Sequence, residues 1–539
     1  MILDDRDVRN PPIWLLTLSI FGELVHLASE DCTIASEREG TRYFVGGLPE
    51  TSVASALSSM GGSPAGEPVA TFSDIYIPGA LARYGQGLEL LAGRGELAVI
   101  ARGEQWERRL VLCSGRVRES RIRRGDFVDL TLGDMLGDDR GTLIPVTAVV
   151  NADTWSSPAD NAQDQVYPVV MGEPGVYKLA TGATAGTTGS PAPMVDNTGG
   201  AEILLISLYR VEAQSVRIIC EDDGSNEVFN VTTTTDSLGQ QVSVVSLAGA
   251  ATLTVDEENT YYVRWNNGGG ILDHEGQLLE GAGSILIWAL NRSSLRFDRV
   301  AFEGAREVLD RYKFGGFVND TGFSPVEWLA DNILPLLPVS MGFGRDGLYP
   351  TVHRWGYVAS DVEVVLSEDD GEMRISDGGV GVFGSPISGF RLTYAWSVVL
   401  GRGRRRRVVT GDPVLLSMDA ANVEQDVMCA RAYDLSERIA GVARAQLEEI
   451  ETRFVYDEGT ARLVLTTMAQ LRAIPPREVM VDVSWAVCAR LRLGQIVQIK
   501  SRDFALDRPC RVGAIDYARE GARVRLLLDA DPERDRFNR

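Results

Sequence analysis

The run GRGRRRRVVTGD, Gly401 to Asp412, places five arginines within six residues. The planar guanidinium of arginine can form paired hydrogen bonds with a phosphate or with a carboxylate, so the run could hold nucleic acid or an acidic protein surface. No aromatic residues alternate with the arginines to stack bases, which favours the protein surface. We predict inter-subunit contacts for the four consecutive arginines, which are Arg404, Arg405, Arg406 and Arg407.

Other residue types that could support catalysis or bind metals are scattered along the chain. The cysteines form no CxxC pair and the histidines are isolated, which argues against a zinc site and a histidine-based catalytic site. The sequence also lacks GxxxxGK[ST], HExxH and GxSxG motifs. We therefore predict buried, reduced thiols, no catalytic residues, no metal and no cofactor. These cysteines and histidines are Cys32, Cys113, Cys220, Cys429, Cys488, Cys510, His26, His274 and His353.

Carboxylates cluster in two short segments, CEDDGSNE (Cys220 to Glu227) and SEDDGE (Ser367 to Glu372). Either could be a calcium loop or a turn between strands. Neither has the alternating ligand spacing of a calcium loop, and Asp-Gly is a strong turn signal. The sequence favours turns.

Length and charge restrict the class of protein further. A chain of 539 residues predicts several domains. Its net charge of -22 disfavours a nucleic-acid-binding protein, because phosphate is repelled, but it suits a surface that DNA passes without sticking. The apolar opening PPIWLLTLSIFGELVHLA contains Glu23 and His26 and lacks a charged leader. It predicts β-strands of a chain made in the cytoplasm rather than a signal peptide or a membrane span.

Two similar hairpins suggest an internal duplication. In SGRVRESRIRRGDFVDLTLGD, Ser114 to Asp134, an Arg-Val pair opens a strand that turns at Gly125. In CRVGAIDYAREGARVRLLLDAD, Cys510 to Asp531, the same pair precedes a turn at Gly521 by nearly the same spacing. Each hairpin closes a strand-rich region, so the sequence predicts two β-barrels of the same kind.

The sequence of the middle part of the chain predicts a β-sandwich. Seven short apolar runs between residues 201 and 290, the last of them SILIWAL, predict strands. Trp265 and Trp288 lie inside two of these runs, which favours core positions over platforms that stack sugars.

Helices are expected only later in the chain. Ser324, Pro325 and Glu327 form a capping box that predicts a helix to about Leu334. Helical spacing also predicts one helix through Val427, Leu435, Ile439 and Val442, and another through Ala461, Val464, Met468 and Leu471. The C-terminal part is therefore predicted to be α+β.

The C-terminal order of helix, IETRFVYD, helix, IPPREVMVDVSW, LRLGQIVQI and RVGAIDY…VRLLLD resembles that of the tail hub proteins of tailed bacteriophages. The stretches VYPVVMGEPGVY, TYYVRWNNGGG…GAGSILIWAL and SPVEWLADNILPLLPVSMGFGRDGLYP support the resemblance. The matching stretches cover about half of the chain and are fold patterns rather than catalytic signatures.

The resemblance implies a non-enzymatic virion protein, located at the tail tip or baseplate. A homotrimer of two-barrel subunits would form a six-fold-like ring that closes the tail tube. The expected partners are the distal tail protein, the tape-measure protein and tail fibre or tip proteins. DNA would be present only in transit during ejection, along an acidic inner face, and the host cell surface would be reached through partners.

The predicted fold is mainly β and multidomain, with two tail-tube-like β-barrels, a β-sandwich-like domain and an α+β C-terminal part. The alternative function is a carbohydrate-binding or cell-wall-degrading surface protein, with residues 201–290 as the binding module. The predicted domains are a first hub barrel (1–135), a Pro/Gly-rich connecting segment (136–200), the sandwich-like domain (201–295), a small mixed α/β domain (296–390) and a second hub barrel with inserted helices (391–534).

Overall fold

The structure is a computed structural model that describes most of residues 11–528. For strand Arg402–Val409 and several other segments it describes the backbone alone. The positions within 11–528 that lie outside the description are 39, 50, 52, 57, 59–68, 85–87, 124–125, 134–138, 140, 179–183, 187–188, 199–201, 345, 355–356, 383–386, 388, 398–401, 410–413, 419–423, 429–446 and 473–475.

The prediction of a mainly β, multidomain chain is confirmed, with 46% strand and 16% helix. The strands are β1 (Ile13–Ile20), β2 (Glu23–Ala28), β3 (Cys32–Ser36), β4 (Gly40–Gly46), β5 (Val53–Ala56), β6 (Val69–Tyr76), β7 (Arg94–Ile100), β8 (Leu110–Ile122), β9 (Phe127–Gly133), β10 (Val169–Met171), β11 (Val176–Lys178), β12 (Thr184–Gly186), β13 (Ser190–Pro191), β14 (Met194–Asp196), β15 (Ile203–Leu208), β16 (Ser215–Cys220), β17 (Asn226–Asn230), β18 (Thr232–Thr235), β19 (Gln241–Ser246), β20 (Tyr261–Asn267), β21 (Gly316–Val318), β22 (Val339–Gly344), β23 (Gly347–Val352), β24 (Val364–Ser367), β25 (Met373–Val382), β26 (Gly389–Ser397), β27 (Arg402–Val409), β28 (Val414–Met418), β29 (Glu424–Met428), β30 (Leu447–Glu451), β31 (Arg477–Val483), β32 (Ile496–Ser501), β33 (Leu506–Ala518) and β34 (Gly521–Leu528). The α-helices are α1 (Ala80–Tyr84), α2 (Leu88–Leu91), α3 (Ala282–Leu290), α4 (Arg299–Leu309), α5 (Pro325–Asn332), α6 (Glu458–Leu471) and α7 (Trp485–Cys488).

The two ends of the chain form one 15-stranded sheet. Its order is β25-β31-β34-β33-β5-β6-β9-β8-β7-β1-β2-β4-β3, with β32 beside β33 and β24 beside β32. The N-terminal and C-terminal parts join where β5 pairs with β33. They also share a core, in which the ring of Trp485 lies 5.9 Å from that of Trp14 and 5.9 Å from that of Tyr517.

A four-stranded unit occurs twice in this sheet. In residues 69–133 the order is β6-β9-β8-β7, and in residues 477–528 it is β31-β34-β33-β32. Each unit has helical structure between its first two strands, α1 and α2 in the N-terminal unit and α7 in the C-terminal unit. Sequential strands therefore occupy equivalent places in both units, as expected of a duplication.

The Arg-Val pairs mark the same point in each unit. The ladder between β8 and β9 slips one residue directly after Arg116 and Val117, and the ladder between β33 and β34 slips directly after Arg511 and Val512. A bulge of this kind bends the strand and increases its twist. The sequence similarity between the two hairpins therefore corresponds to a shared backbone irregularity.

The predicted barrels differ from the observed arrangement, because no sheet formed by the described residues closes on itself. The reason is visible at β5, which extends the N-terminal unit and pairs with β33 of the C-terminal unit. Strand β5 thereby joins the two units into one continuous sheet.

The middle of the chain contains two four-stranded sheets, β13-β20-β16-β17 and β14-β15-β19-β18. Their inward residues pack into one core, to which residues of segment 136–200, including the fully buried Tyr167, also contribute. SILIWAL was predicted to be a strand but forms most of helix α3. A continuous apolar run shows neither the alternation of a half-buried strand nor the 3.6-residue spacing of an amphipathic helix, so its pattern does not distinguish the two. Eight of the nine residues of α3 are buried, so the helix is apolar on all sides.

Two of the three predicted helices are confirmed. Helix α5 begins after Ser324 with the expected capping box, and α6 covers the predicted run from Ala461 to Leu471. The helix predicted through Val427 is wrong at that residue, which lies in strand β29. Its other predicted positions, residues 435, 439 and 442, lie outside the described residues.

Candidate functional site

The four consecutive arginines lie on β27, the central strand of a sheet with the order β29-β28-β27-β26-β30. In the backbone register, Arg404 stands opposite Tyr394 and Arg406 opposite Leu392, and both partners are buried. The arginine side chains themselves are outside the description, so their role at an interface stays a prediction.

The clearest concave site is a cavity of about 470 Å³ on the middle part of the chain. Helix α3 and helix α4 form one side, and the two residues after β15 together with the start of β19 form another. Residues 271–276 complete the wall. The residues that line it are Tyr209, Arg210, Gln241, Ile271, Leu272, Asp273, His274, Gly276, Ser284, Ile287, Trp288, Asn291, Arg292 and Arg306.

Arg306 organises the wall between the two helices. Its guanidinium lies 2.8 Å from Glu275, 3.2 Å from Asp310 and 3.4 Å from Glu303, and also 3.8 Å from the nearly buried Asp273. The hydrogen bond to Glu275 raises the pKa of Arg306, and Arg306 in turn lowers the pKa of Glu275. The charge of this arginine is therefore fully balanced inside the protein.

Asp310 also fixes the start of α3. One of its carboxylate oxygens accepts a hydrogen bond from the backbone N–H of Ser284 at 2.9 Å, and the other accepts one from the Ser284 hydroxyl at 3.0 Å. A side chain at Gly281 would meet this carboxylate at 2.2 Å. The glycine-containing sequence GAGS thus permits Asp310, directly after α4, to accept from the otherwise unpaired N–H of Ser284 at the beginning of α3.

A second arginine contacts two aromatic rings at the cavity. The Arg292 guanidinium is 4.0 Å from the ring centroid of Trp288 and 5.3 Å from that of Tyr209. One of its terminal nitrogens donates to the Trp288 carbonyl at 3.1 Å. These contacts hold the guanidinium plane in one orientation.

The two tryptophans considered as sugar platforms are both buried, as the sequence favoured. Trp265 is 0% exposed, and Trp288 is 8% exposed with Arg292 stacked on it. Neither presents an open ring face on which a sugar could stack. The alternative function therefore loses its two proposed binding residues.

The remaining candidate groups have structural surroundings. Cys113, Cys220, Cys488 and Cys510 are buried, and burial raises the pKa of Cys488 to about 12. Cys32 is half-buried, and Cys429 lies outside the described residues. Within the described ranges, no group of three or more His, Cys, Asp or Glu side chains could hold a metal ion, and no helix there is both long and apolar enough to cross a membrane.

Both acidic segments form turns, as predicted. The first joins the paired strands β16 and β17, where Asp223 accepts hydrogen bonds from the Ser225 N–H and the Thr254 hydroxyl. These bonds lower the pKa of Asp223. The second joins β24 to β25, but those strands pair with β32 and β31 rather than with each other. It is therefore a connection between neighbouring parts of the sheet and not a hairpin.

Sequence reasoning missed the cavity and its arginines. Trp288 and Arg292 stand four residues apart, the spacing of neighbours on one helix face, but the segment was assigned to a strand. Tyr209 and Arg306 lie outside this segment, and no sequence pattern around either residue marks it as part of a cavity.

No family model and no curated protein matches the sequence. Among solved structures, the 43 kDa tail protein of prophage MuSo2 from Shewanella oneidensis is similar with a TM-score of 0.38 and 10% identity, over 96% of this chain and 99% of the other. A tail protein from Neisseria meningitidis has a TM-score of 0.35 and 8% identity, over 96% and 97%. A prophage tail protein from Listeria monocytogenes has a TM-score of 0.22 and 8% identity, over 67% and 94%.

All three are tail proteins, the class that the sequence resembles, and further similar chains belong to a gene transfer agent virion and a phage baseplate. The identities and TM-scores are low.

Proposed function

We propose that the protein is a non-enzymatic structural component of a phage tail tip, where a homotrimer forms the hub that closes the tail tube. Its partners would be the distal tail protein, the tape-measure protein and fibre or tip proteins. The ring would conduct DNA during ejection along an acidic inner face. The observation that carries this proposal is the duplicated four-stranded unit, because three copies of a two-unit chain match a six-fold tube.

The junction between the two units suggests how copies would join. In the C-terminal unit, β32 pairs with β33 as far as Arg511, and β5 then continues along the same edge from Ala514 to Tyr517. In the N-terminal unit, β7 pairs with β8 as far as Arg116. Beyond that point, no described strand pairs with β8 on the β7 side.

The equivalent of β5 in the C-terminal unit is β25. Strand β5 pairs with the first strand of the N-terminal unit, and β25 pairs with the first strand of the C-terminal unit. On its other side β25 has no partner strand within the described part of the chain. A second copy could therefore place its β25 along β8, repeating the junction seen within one chain. Head-to-tail contacts of this kind form a ring when the rotation between copies closes, and they cover exposed strand edges.

The repeat also predicts the register of this contact. Within the chain Tyr517 pairs with Val53, and aligning the two Arg-Val pairs makes Ile122 the equivalent of Tyr517. The position equivalent to Val53 is Val380. When the residue partners are followed across the paired strands from the Arg-Val pair of each unit, they lead to Val53 in the N-terminal unit and to Val380 in the C-terminal unit. Ile122 of one copy is therefore expected opposite Val380 of the next.

A disulfide cross-link tests this register. The double variant Ile122→Cys/Val380→Cys should form a covalent trimer under oxidising conditions, because directly opposed residues in antiparallel strands fit disulfide geometry. Denaturing, non-reducing electrophoresis would detect the trimer, and light scattering of the parent protein should give three copies.

The matched control pairs Ile122→Cys with Arg374→Cys. On β31, Arg374 pairs with Asp482 and Val380 pairs with Val479, three residues away, so the two β25 positions are about 10 Å apart along the sheet, too far for the same disulfide. It should not cross-link between copies. A trimer in solution without the cross-link would contradict the proposed contact. One copy or six in solution would contradict the trimeric hub itself.

The arginine run supports a second prediction about assembly. Replacing Arg404 to Arg407 together by serine should yield fewer assembled tails, or hubs that dissociate at lower salt, with DNA affinity unchanged. The physical reason is that several arginine–carboxylate pairs together fix the orientation of an interface. Sedimentation of assembled hubs at increasing salt, and a DNA-binding assay on the same samples, would measure both effects.

The control removes the same charge elsewhere. Four exposed arginines, each paired with a surface carboxylate, are changed to serine, and assembly should be retained because exposed pairs contribute little. Normal assembly of the run variant, combined with lost salt-dependent DNA affinity, would identify the run as a nucleic-acid grip instead. The control residues are Arg83, Arg296, Arg492 and Arg502.

A further inference from the structure

The cavity beside α3 contains a cation, Arg292, that aromatic rings contact and that no described carboxylate pairs with. Arg292 contacts the rings of Trp288 and Tyr209 and one backbone carbonyl. Among the residues that the structure describes, no Asp or Glu forms an ion pair with it. This differs from Arg306 in the same cavity, which is surrounded by carboxylates. In a chain with a net charge of -22, an oriented arginine without a carboxylate partner is unexpected.

Tyr209 adopts an unusual backbone conformation at this cavity. Its φ is 71°, in the left-handed region that bulky residues rarely enter. The conformation is held by two contacts with β19, because the Tyr209 N–H donates to the Gln241 carbonyl at 2.9 Å and the Ser243 hydroxyl donates to the Tyr209 carbonyl at 2.9 Å. Strain of this kind persists only where surrounding structure enforces it, and it concentrates at binding sites. Here it accompanies a ring that covers Arg292.

The rest of the rim is polar. The side chains of Gln241 and Asn291 are exposed, and neither amide has a hydrogen-bond partner among the described residues. Arg210 is also exposed at the rim and forms no described ion pair. The cavity therefore offers a fixed guanidinium edge, a second positive charge and two amides that can bind hydroxyl groups.

We propose that this cavity binds a small ligand carrying an oxyanion, a carboxylate or a phosphate, on a hydroxylated frame such as a sugar ring. The edge of the Arg292 guanidinium would donate a bidentate pair of hydrogen bonds to the oxyanion, since its contacts with the rings of Trp288 and Tyr209 hold the group in place. The amides of Gln241 and Asn291 would hold the hydroxyls. The volume of about 470 Å³ lies in the range usual for small-molecule sites, about 300 to 1,000 Å³.

Three matched probes test whether the ligand needs an oxyanion and whether that oxyanion is a carboxylate or a phosphate. Galacturonate, galactose 6-phosphate and galactose share one ring and differ only at the sixth carbon. Titration calorimetry with the full chain should show binding of the two anions and about tenfold weaker binding of galactose. Binding of only one of the two anions would still support the site and would show whether its ligand carries a carboxylate or a phosphate. Equal binding of galactose, or no binding of any probe to the folded protein, would overturn the proposal.

Variants then locate the site. Arg292→Gln should weaken anion binding about tenfold, whereas Arg296→Gln, in an exposed ion pair outside the cavity, should leave it unchanged. Tyr209→Asn removes the ring but keeps a residue that tolerates positive φ, so it tests the site even if Arg292→Gln does not fold. It should also weaken binding. Anion binding at the parental affinity in both variants would overturn the assignment to this cavity.

Discussion

Gly270→Ala is expected to destabilise the middle of the chain by about 3 kcal/mol, because the new methyl group has no space. A Cβ at this position would lie 2.1 Å from the carbonyl oxygen of Val170 and 2.5 Å from its carbonyl carbon. Both atoms belong to backbone that is tied to the glycine segment, since the Ile271 N–H donates to the Val170 carbonyl at 2.8 Å. The clash can be relieved only by moving β10 away from its core position.

Gly304→Ala is the matched control, with an effect of opposite sign. Gly304 lies in the middle of α4 and a Cβ there would meet nothing within 4 Å. Alanine should therefore raise stability by about 1 kcal/mol through its higher helix propensity. Scanning calorimetry of the full chain would measure both shifts in Tm. An unchanged Tm for Gly270→Ala would show that the two segments do not pack as closely as described.

Arg306→Gln is expected to destabilise the protein by about 2 kcal/mol at pH 7, because the carboxylates around Arg306 lose their shared partner. Asp273 is the most affected, since its side chain is only 5% exposed. Asp310 would keep its bonds to Ser284 but lose its ion pair. The start of α3 and the wall of the cavity should loosen together.

The effect should depend on pH in a defined direction. Arg306 holds the pKa of Glu275 below its ordinary value of 4.5, so the contribution of this pair is present above that value. It is lost as the pH falls through the lowered pKa. The parent protein should therefore lose more stability between pH 6 and pH 3 than the variant does, and the difference between them should narrow in acid.

Arg299→Gln on the same helix provides the control. Arg299 forms an exposed pair with Glu303 at 3.7 Å, so its removal should cost at most about 0.5 kcal/mol with little dependence on pH. Urea denaturation across this pH range would give both curves. Parallel curves for the parent and Arg306→Gln would contradict the proposed role of Arg306.

The sequence by itself determined the features that depend on neighbours within a few residues. The capping box at Ser324 predicted the start of α5, and the Arg-Val pair followed by a turn at Gly521 predicted the hairpin of β33 and β34. The two Arg-Val pairs revealed the duplication, because a bulge depends on local backbone and side-chain preferences. The apolar setting of Trp265 likewise predicted its burial.

Only the tertiary structure decided which strands are neighbours and where distant side chains meet. Nothing near β5 indicates that it pairs with β33 from the other end of the chain, so the predicted barrels became one open sheet. The run SILIWAL could be a strand or a helix, and α3 is buried on all sides by elements that the run does not encode. The cavity arises because β15 places Tyr209 against Arg292 at the end of α3. Local preferences act over a few residues, whereas these contacts are selected by how complete elements bury their apolar faces together.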